Sequence, residues 1–136
     1  MVTFDEAMTM ISVARKKAEA MNIKLSFCVV DLHGAVIASA RMDGARPMTT
    51  ENARGKATGA AAFGRPSIEL GQMASGPQSQ SIHQINQFQF GGRILFAQGA
   101  VPIVREGQLE GAFGGSGALS SEDEECVKAG AAAIGA

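Results

Sequence analysis

The stretch from residue 99 to residue 136 constrains the fold of this chain more than any other part of it. It contains two apolar runs of strand length, VPIVR and LEGAF, separated by the turn-forming pair Glu106-Gly107. The glycine-rich run GGSG follows at 114–117, and Ser121 and Glu124 then have the spacing of a capping box. The pattern therefore predicts a β-hairpin, a glycine-rich loop and a closing helix.

The first half of the chain alternates between helical and strand patterns. A capping box formed by Thr3 and Glu6 precedes apolar residues at helical spacing. The runs LSFCVVD and AVIASAR then predict two strands joined at Gly34. A second helix with a face of alanines is predicted over Thr50–Phe63, and a shorter one from Pro66 through Leu70.

Residues 75–92 follow neither pattern. The segment GPQSQSIHQINQFQFGG is polar and Gln-rich, which predicts a long loop that acts as a binding loop, a lid or an interface arm. The run ILFAQG after it predicts a further strand that leads into the final hairpin. Together these elements predict one domain over residues 1–136, of the α+β class, with an antiparallel sheet of about five strands covered by helices.

The composition argues against some classes of binding partner. A net charge of −1 with interspersed acids and bases argues against a nucleic-acid-binding surface. Because the sequence lacks both a signal-peptide pattern and a long apolar run, we expect a cytoplasmic protein that does not enter a membrane. Cys28 and Cys126 lie among apolar neighbours, so we expect buried, reduced thiols.

Three phrases of the sequence carry a resemblance to a known family. They are VVDLHGAVIASARMDGA, KATGAAAFGRPS and GAVPIVREGQLEGAFGGSGALSSEDEECVKAGAAAI. The order of elements and these phrases resemble the GlcG/HbpS-like family, also called the haem-degrading domain family, from about Ile23 to the end of the chain. The resemblance implies a profilin-like fold assembled as dimers or larger homo-oligomers. It also implies a link to haem, because the family includes a haem-binding sensor and haem-binding domains attached to corrinoid adenosyltransferases.

Four ionisable or polar residues are the candidates for chemistry. His83 lies in the predicted polar loop, where it would act as an iron ligand or as a general acid or base, or else as an inert solvated side chain. The start of the alanine-rich helix contains the other three candidates, Glu51, Asn52 and Lys56. Asn52 and Lys56 are one turn apart and are expected to point together toward a cleft, with a solvated surface cluster as the alternative.

Other residues are candidates for binding carboxylates. The guanidinium group pairs with both oxygens of a carboxylate, and three arginines lie beside glycines or the alanine-rich helix. They are Arg41, Arg65 and Arg93. The amides of Gly114, Gly115 and Ser116 are candidates for holding an anion, and close packing of the glycines is the alternative.

Two functions and a third alternative follow from these candidates. The favoured prediction is a protein that binds a small molecule, haem or a similar flat carboxylated ligand, in a pocket near a subunit interface. Phe88, Phe90 and Phe96 are the candidate aromatic walls of that pocket. The alternative is a catabolic enzyme for a carboxylated substrate, with His83, Lys56 or Glu51 moving a proton. A purely structural subunit is the third possibility, and haem is the one cofactor that the resemblance suggests.

Overall fold

A computed structural model describes residues 1–136, which form one antiparallel sheet with helices on both faces. The elements in chain order are α1 (Phe4–Ala20), β1 (Ser26–Asp31), β2 (Val36–Arg41), α2 (Met48–Phe63), α3 (Ser67–Ala74), α4 (Ser79–Phe90), β3 (Ala100–Arg105), β4 (Gln108–Ser116) and α5 (Ser120–Ala132). The strand order is β2-β1-β4-β3. The predicted α+β class and antiparallel sheet are confirmed, with four strands instead of about five.

Helices α1 and α5 cover one face of the sheet. At the start of α1, the Thr3 hydroxyl accepts the Glu6 N–H at 3.1 Å and the Glu6 carboxylate accepts the Thr3 N–H at 3.0 Å, which confirms the predicted capping box. Beneath these helices, Phe27 on β1 and Phe113 on β4 are both buried, with ring centroids 5.9 Å apart. Their burial makes this face the main hydrophobic core.

Helix α2 covers the opposite face through its alanines. The predicted small-residue face is confirmed, since four alanines of α2 are buried against β1, β3 and β4: Ala53, Ala57, Ala60 and Ala61. A Cβ added to Gly114 on β4 would lie 2.4 Å from the Ala53 carbonyl oxygen. The helix backbone therefore lies directly on the strand, at a distance that only glycine permits.

The final hairpin follows the sequence prediction closely. Strands β3 and β4 are joined through Glu106, with φ 51°, and Gly107, with φ 74°. Positive φ at both central residues is the geometry of a type I′ turn, whose twist matches that of the flanking strands. Cys28 and Cys126 are free and buried, as predicted.

Four local predictions are wrong. Residues 75–92 are not a loop, because most of them form α4. The run ILFAQG is not a strand; it crosses α2, where the Leu95 N–H donates to the Gly55 carbonyl at 3.2 Å. The run GGSG is mostly the buried end of β4. The predicted capping box of Ser121 and Glu124 is also wrong. Helix α5 begins earlier, and the N–H of its N-cap residue Leu119 donates to the Glu122 carboxylate at 3.2 Å.

Candidate functional site

A cavity of about 550 Å³ lies between α1 and the edge strand β2. It lies where α1 packs over β2 and β1 and leaves the end of β2 partly open. Its floor is apolar and consists of Met8, Ile11, Phe27 and Met42. Ile11 and Phe27 belong to the main core, so this part of the floor is rigid, whereas Met8 is exposed.

The rim of this cavity is rich in cationic side chains. Arg15 and Lys24 line it together with Arg41, and all three residues are exposed. Arg15 forms an ion pair with Glu19 at 3.1 Å, whereas Lys24 and Arg41 form none. Asp43 is the other acid at the rim. An apolar floor below two unpaired cations is suited to a ligand with a flat apolar body and carboxylates at its edge.

Arg41 is the predicted site residue that the structure places at this cavity. Arg15 and Lys24 were not predicted, because in the sequence they belong to the polar side of α1 and to a short connection. Their charges are recognisable in the sequence. Their meeting with Arg41 depends on how α1 crosses the sheet, which no local spacing specifies.

Lys56 does not point into a cleft. It is 4 % exposed, and its Nζ donates to the Gly115 carbonyl and to Asp123 Oδ2, both at 3.2 Å. Asp123 also accepts the Ala118 N–H at 3.0 Å. Burial raises the pKa of Asp123, while the Ala118 amide and Lys56 act in the opposite direction. The ammonium group of Lys56 is thus enclosed by protein acceptors, and the predicted cleft beside it is absent.

Two further residues were predicted to act with Lys56, and both have surroundings different from those of Lys56 in the structure. Glu51 is exposed and pairs with Arg54 at 3.7 Å, and Asn52 is half-buried on the next position of α2. This arrangement matches the alternative of a surface cluster for Glu51. Their roles toward a ligand stay predictions.

His83 lies on α4 and is exposed. Its Nε2 is 3.1 Å from the Ala74 carbonyl oxygen, and its ring meets the edge of Phe96 with centroids 5.2 Å apart. Phe88 is 90 % exposed on the same helix. Neither His83 nor Lys56 lines the cavity between α1 and β2, so the structure does not bring them together there.

The other predicted binding residues are also separate from the cavity. Arg65 pairs loosely with Glu69 at 3.8 Å, and Arg93 is exposed after α4. The strand residues Gly114, Gly115 and Ser116 are buried in β4. The Gly115 N–H already donates to the Gly99 carbonyl at 2.8 Å, so its amide is engaged within the protein.

The His, Cys, Asp and Glu side chains are dispersed in the structure, and both thiols are buried. No three His, Cys, Asp or Glu side chains are grouped so that they could hold a metal ion. Burial raises the pKa of both Cys28 and Cys126 to about 11, which keeps these thiols protonated at neutral pH. No helix combines the length and the apolarity that crossing a bilayer requires.

Comparison with known proteins gives a consistent result. Residues 2–132 match the family described as haem degrading protein HbpS-like. No curated protein matches the chain.

Solved structures share the whole fold. The crystal structure of Klebsiella pneumoniae protein ORFY is 26% identical, with a TM-score of 0.88 over 99% of this chain and 91% of that one. A double mutant of Streptomyces reticuli HbpS is 28% identical, with a TM-score of 0.84 over 98% of this chain and 87% of its own. A PduOC:heme complex, at 23% identity and a TM-score of 0.86 over 98% and 94%, shares the fold.

Proposed function

This chain belongs to the HbpS-like family of haem-degrading proteins, and from that premise we propose that it binds haem, or a flat carboxylated ligand of similar shape, in the cavity between α1 and β2. The observation that carries the proposal is the combination of an apolar floor with Lys24 and Arg41, two cations without ion-pair partners. A relative with this fold, PduOC, has been crystallised as a heme complex.

The chemistry of the ligand fits the chemistry of the cavity. A porphyrin has a flat apolar body, which suits the floor around Ile11 and Phe27, and propionate groups, which suit a cationic rim. The volume of about 550 Å³ is within the usual range of small-molecule sites. The rim would hold the carboxylates and the floor would exclude water from one face of the ring.

The iron ligand predicted from the sequence, His83, lies outside this cavity. Met8 and Met42, whose thioethers are of a type that ligates haem iron, line the cavity, and the Met42 Sδ accepts the Leu25 N–H at 3.4 Å. Iron ligation by His83 remains a prediction. It would require a second location on α4, where Nε2 already contacts the Ala74 carbonyl.

Absorbance titration with hemin tests the proposal. The unaltered protein should shift the Soret band with saturation at one stoichiometric ratio. The double variant Lys24→Ala and Arg41→Ala should bind at least roughly 10-fold more weakly, since each charged hydrogen bond is worth about 1.5–3 kcal/mol. Metal-free protoporphyrin should compete, because the rim recognises carboxylates.

Two matched variants make the result specific. Arg65→Ala removes an exposed arginine away from the cavity and should leave the titration unchanged. His83→Ala distinguishes the two locations, because loss of binding in this variant alone would assign the ligand to α4. A protein that gives no Soret shift, or a double variant that binds like the parent, would remove the proposed site.

A further inference from the structure

One cation at the rim of the cavity between α1 and β2 is already paired with a carboxylate of the protein. The Arg15 Nε lies 3.1 Å from the Glu19 Oε1, and both residues line the cavity from α1. Lys24 and Arg41 line the same cavity and form no ion pair. The rim therefore has an open anion position at Lys24 and Arg41 and an occupied one at Arg15.

The two anion positions belong to different elements of the fold. The Met42 N–H donates to the Leu25 carbonyl at 3.0 Å, and Arg41 and Lys24 directly precede these two residues in the chain. Both cations of the open position therefore come from the same end of the β1–β2 pair. Arg15 comes from the wall that α1 forms. A ligand with two carboxylates at different edges would meet both positions.

The stability of α1 does not account for an acid at position 19. Glu19 is in the last turn of α1, which ends at Ala20, and an acid there faces the negative end of the helix dipole. Its pair with Arg15 places the acid C-terminal to the base, which is the less favourable order at a spacing of four. The two side chains are 54 % and 55 % exposed, so the pair is weak and exchangeable. The contact with Arg15 at the rim is thus the main consequence of having a carboxylate at this position.

We propose that Glu19 is a built-in competitor for ligand carboxylates: it occupies the anion position at Arg15, so that the cavity selects a flat apolar ligand by a single carboxylate held at Lys24 and Arg41. This inference rests on the proposed function, because it concerns the same cavity. A second carboxylate of the ligand has to displace Glu19 and gains little, since one carboxylate then replaces another. The ligand class therefore includes flat molecules with one carboxylate alongside haem.

The other acid of the rim provides a matched control. Asp43 lines the cavity, is exposed and forms no ion pair. Asp43→Asn therefore changes the charge of the rim by the same amount as Glu19→Gln but frees no arginine. A general gain in attraction for anions would follow from both variants. Release of Arg15 would follow from Glu19→Gln alone.

Absorbance titrations with hemin, its monomethyl ester and its dimethyl ester test the proposal. The measured quantity is the dissociation constant of the monoester divided by that of hemin. In the parent protein this ratio should be about 2, because hemin reaches the open position with either of its propionates and the monoester with one. In Glu19→Gln the second propionate can bind Arg15, and the ratio should rise to about 5 or more, the scale of an exposed ion pair. The diester should bind most weakly to every variant.

Two further variants make the result specific to Arg15. Asp43→Asn should bind hemin and the monoester more tightly by the same factor, so its ratio should equal that of the parent. Adding Arg15→Met to Glu19→Gln should return the ratio to about 2. Circular dichroism verifies that these exposed substitutions leave the fold intact. The competitor role is overturned by an unchanged ratio in Glu19→Gln, an equal rise in Asp43→Asn, or a rise that persists without Arg15.

The same titrations separate this inference from the proposed function. If the parent protein binds none of the three ligands, the proposed function and the competitor role both fail. If it binds hemin through Lys24 and Arg41 but the ratio does not respond to Glu19→Gln, the proposed function stands and only the competitor role fails.

Discussion

At the residue scale, Lys56 has a role in the structure that differs from the role predicted from its sequence neighbours. In the sequence it belongs to a charged cluster with Glu51 and Asn52, which suggested a reactive group at a cleft. In the structure it lies under α5 and pairs with Asp123, a residue 67 positions away. No local pattern links residues at that separation, so the pairing was not predictable. The role that follows is joining α2, β4 and α5.

Replacing Lys56 should destabilise the protein strongly. Lys56→Met leaves the Asp123 carboxylate buried without its cation, and breaking a buried pair in this way costs about 3–5 kcal/mol. Urea unfolding at pH 7 measures the change in the free energy of unfolding. Arg65→Ala, which removes the cation of an exposed pair, should change that free energy by less than about 1 kcal/mol. A Lys56→Met variant as stable as the parent would contradict the structural role.

At the scale of elements, α4 is the clearest failure of sequence reasoning. The polarity of its Gln-rich sequence predicts a loop, although Gln is a good helix former. Ile82 and Asn86 are buried at a spacing of four, and Gly91 ends the helix in the left-handed conformation with φ 59°. The Gly91-Gly92 pair was the available signal for the helix end. The hairpin of β3 and β4 was predictable because its turn chemistry is local.

The attachment of α4 should depend on one amide. Asn86 Nδ2 donates to the Ile94 carbonyl at 3.1 Å, and its Oδ1 accepts the Ile94 N–H at 3.0 Å. Asn86→Ala leaves these buried groups unpaired, at a cost of about 1–3 kcal/mol. Hydrogen exchange of the Ile94 amide should therefore accelerate by roughly one to two orders of magnitude. Gln87→Ala, at an exposed neighbour, should leave that exchange rate unchanged, and equal protection in both variants would refute the attachment.

At the scale of the whole molecule, the first helix and the final hairpin, which are distant in sequence, meet at one arginine. Arg105 on β3 pairs with Glu6 on α1 and with Glu110 on β4. Its guanidinium group lowers the pKa of both carboxyls from 4.5 to about 2. The class of fold and the order of most elements were predictable from capping, turns and periodicity. This junction was not, because it depends on the final arrangement of the layers.

The junction should make stability depend on pH in the acid range. Because the folded pKa values are lowered, the contribution of both carboxyls is complete above about pH 4.5 and is lost as the pH falls toward 2. The stability difference between the parent and Arg105→Met should therefore shrink over this window. Urea unfolding at pH 7, 4 and 2.5 measures it, and Arg15→Met controls for loss of a surface arginine. A difference that stays constant with pH would contradict the assignment.

The strand order has a consequence for how the chain acquires its shape. The two central strands, β1 and β4, are neighbours although five elements lie between them in the sequence: β2, α2, α3, α4 and β3. Closing so long a loop carries an entropic cost before any contact repays it. During synthesis, β1 can therefore pair along its whole length with β4 only after Ser116 has left the ribosome. In that interval the apolar runs of β1 and β2 lack the cover that β4 later provides, which is the stage at which a chaperone would find a binding segment.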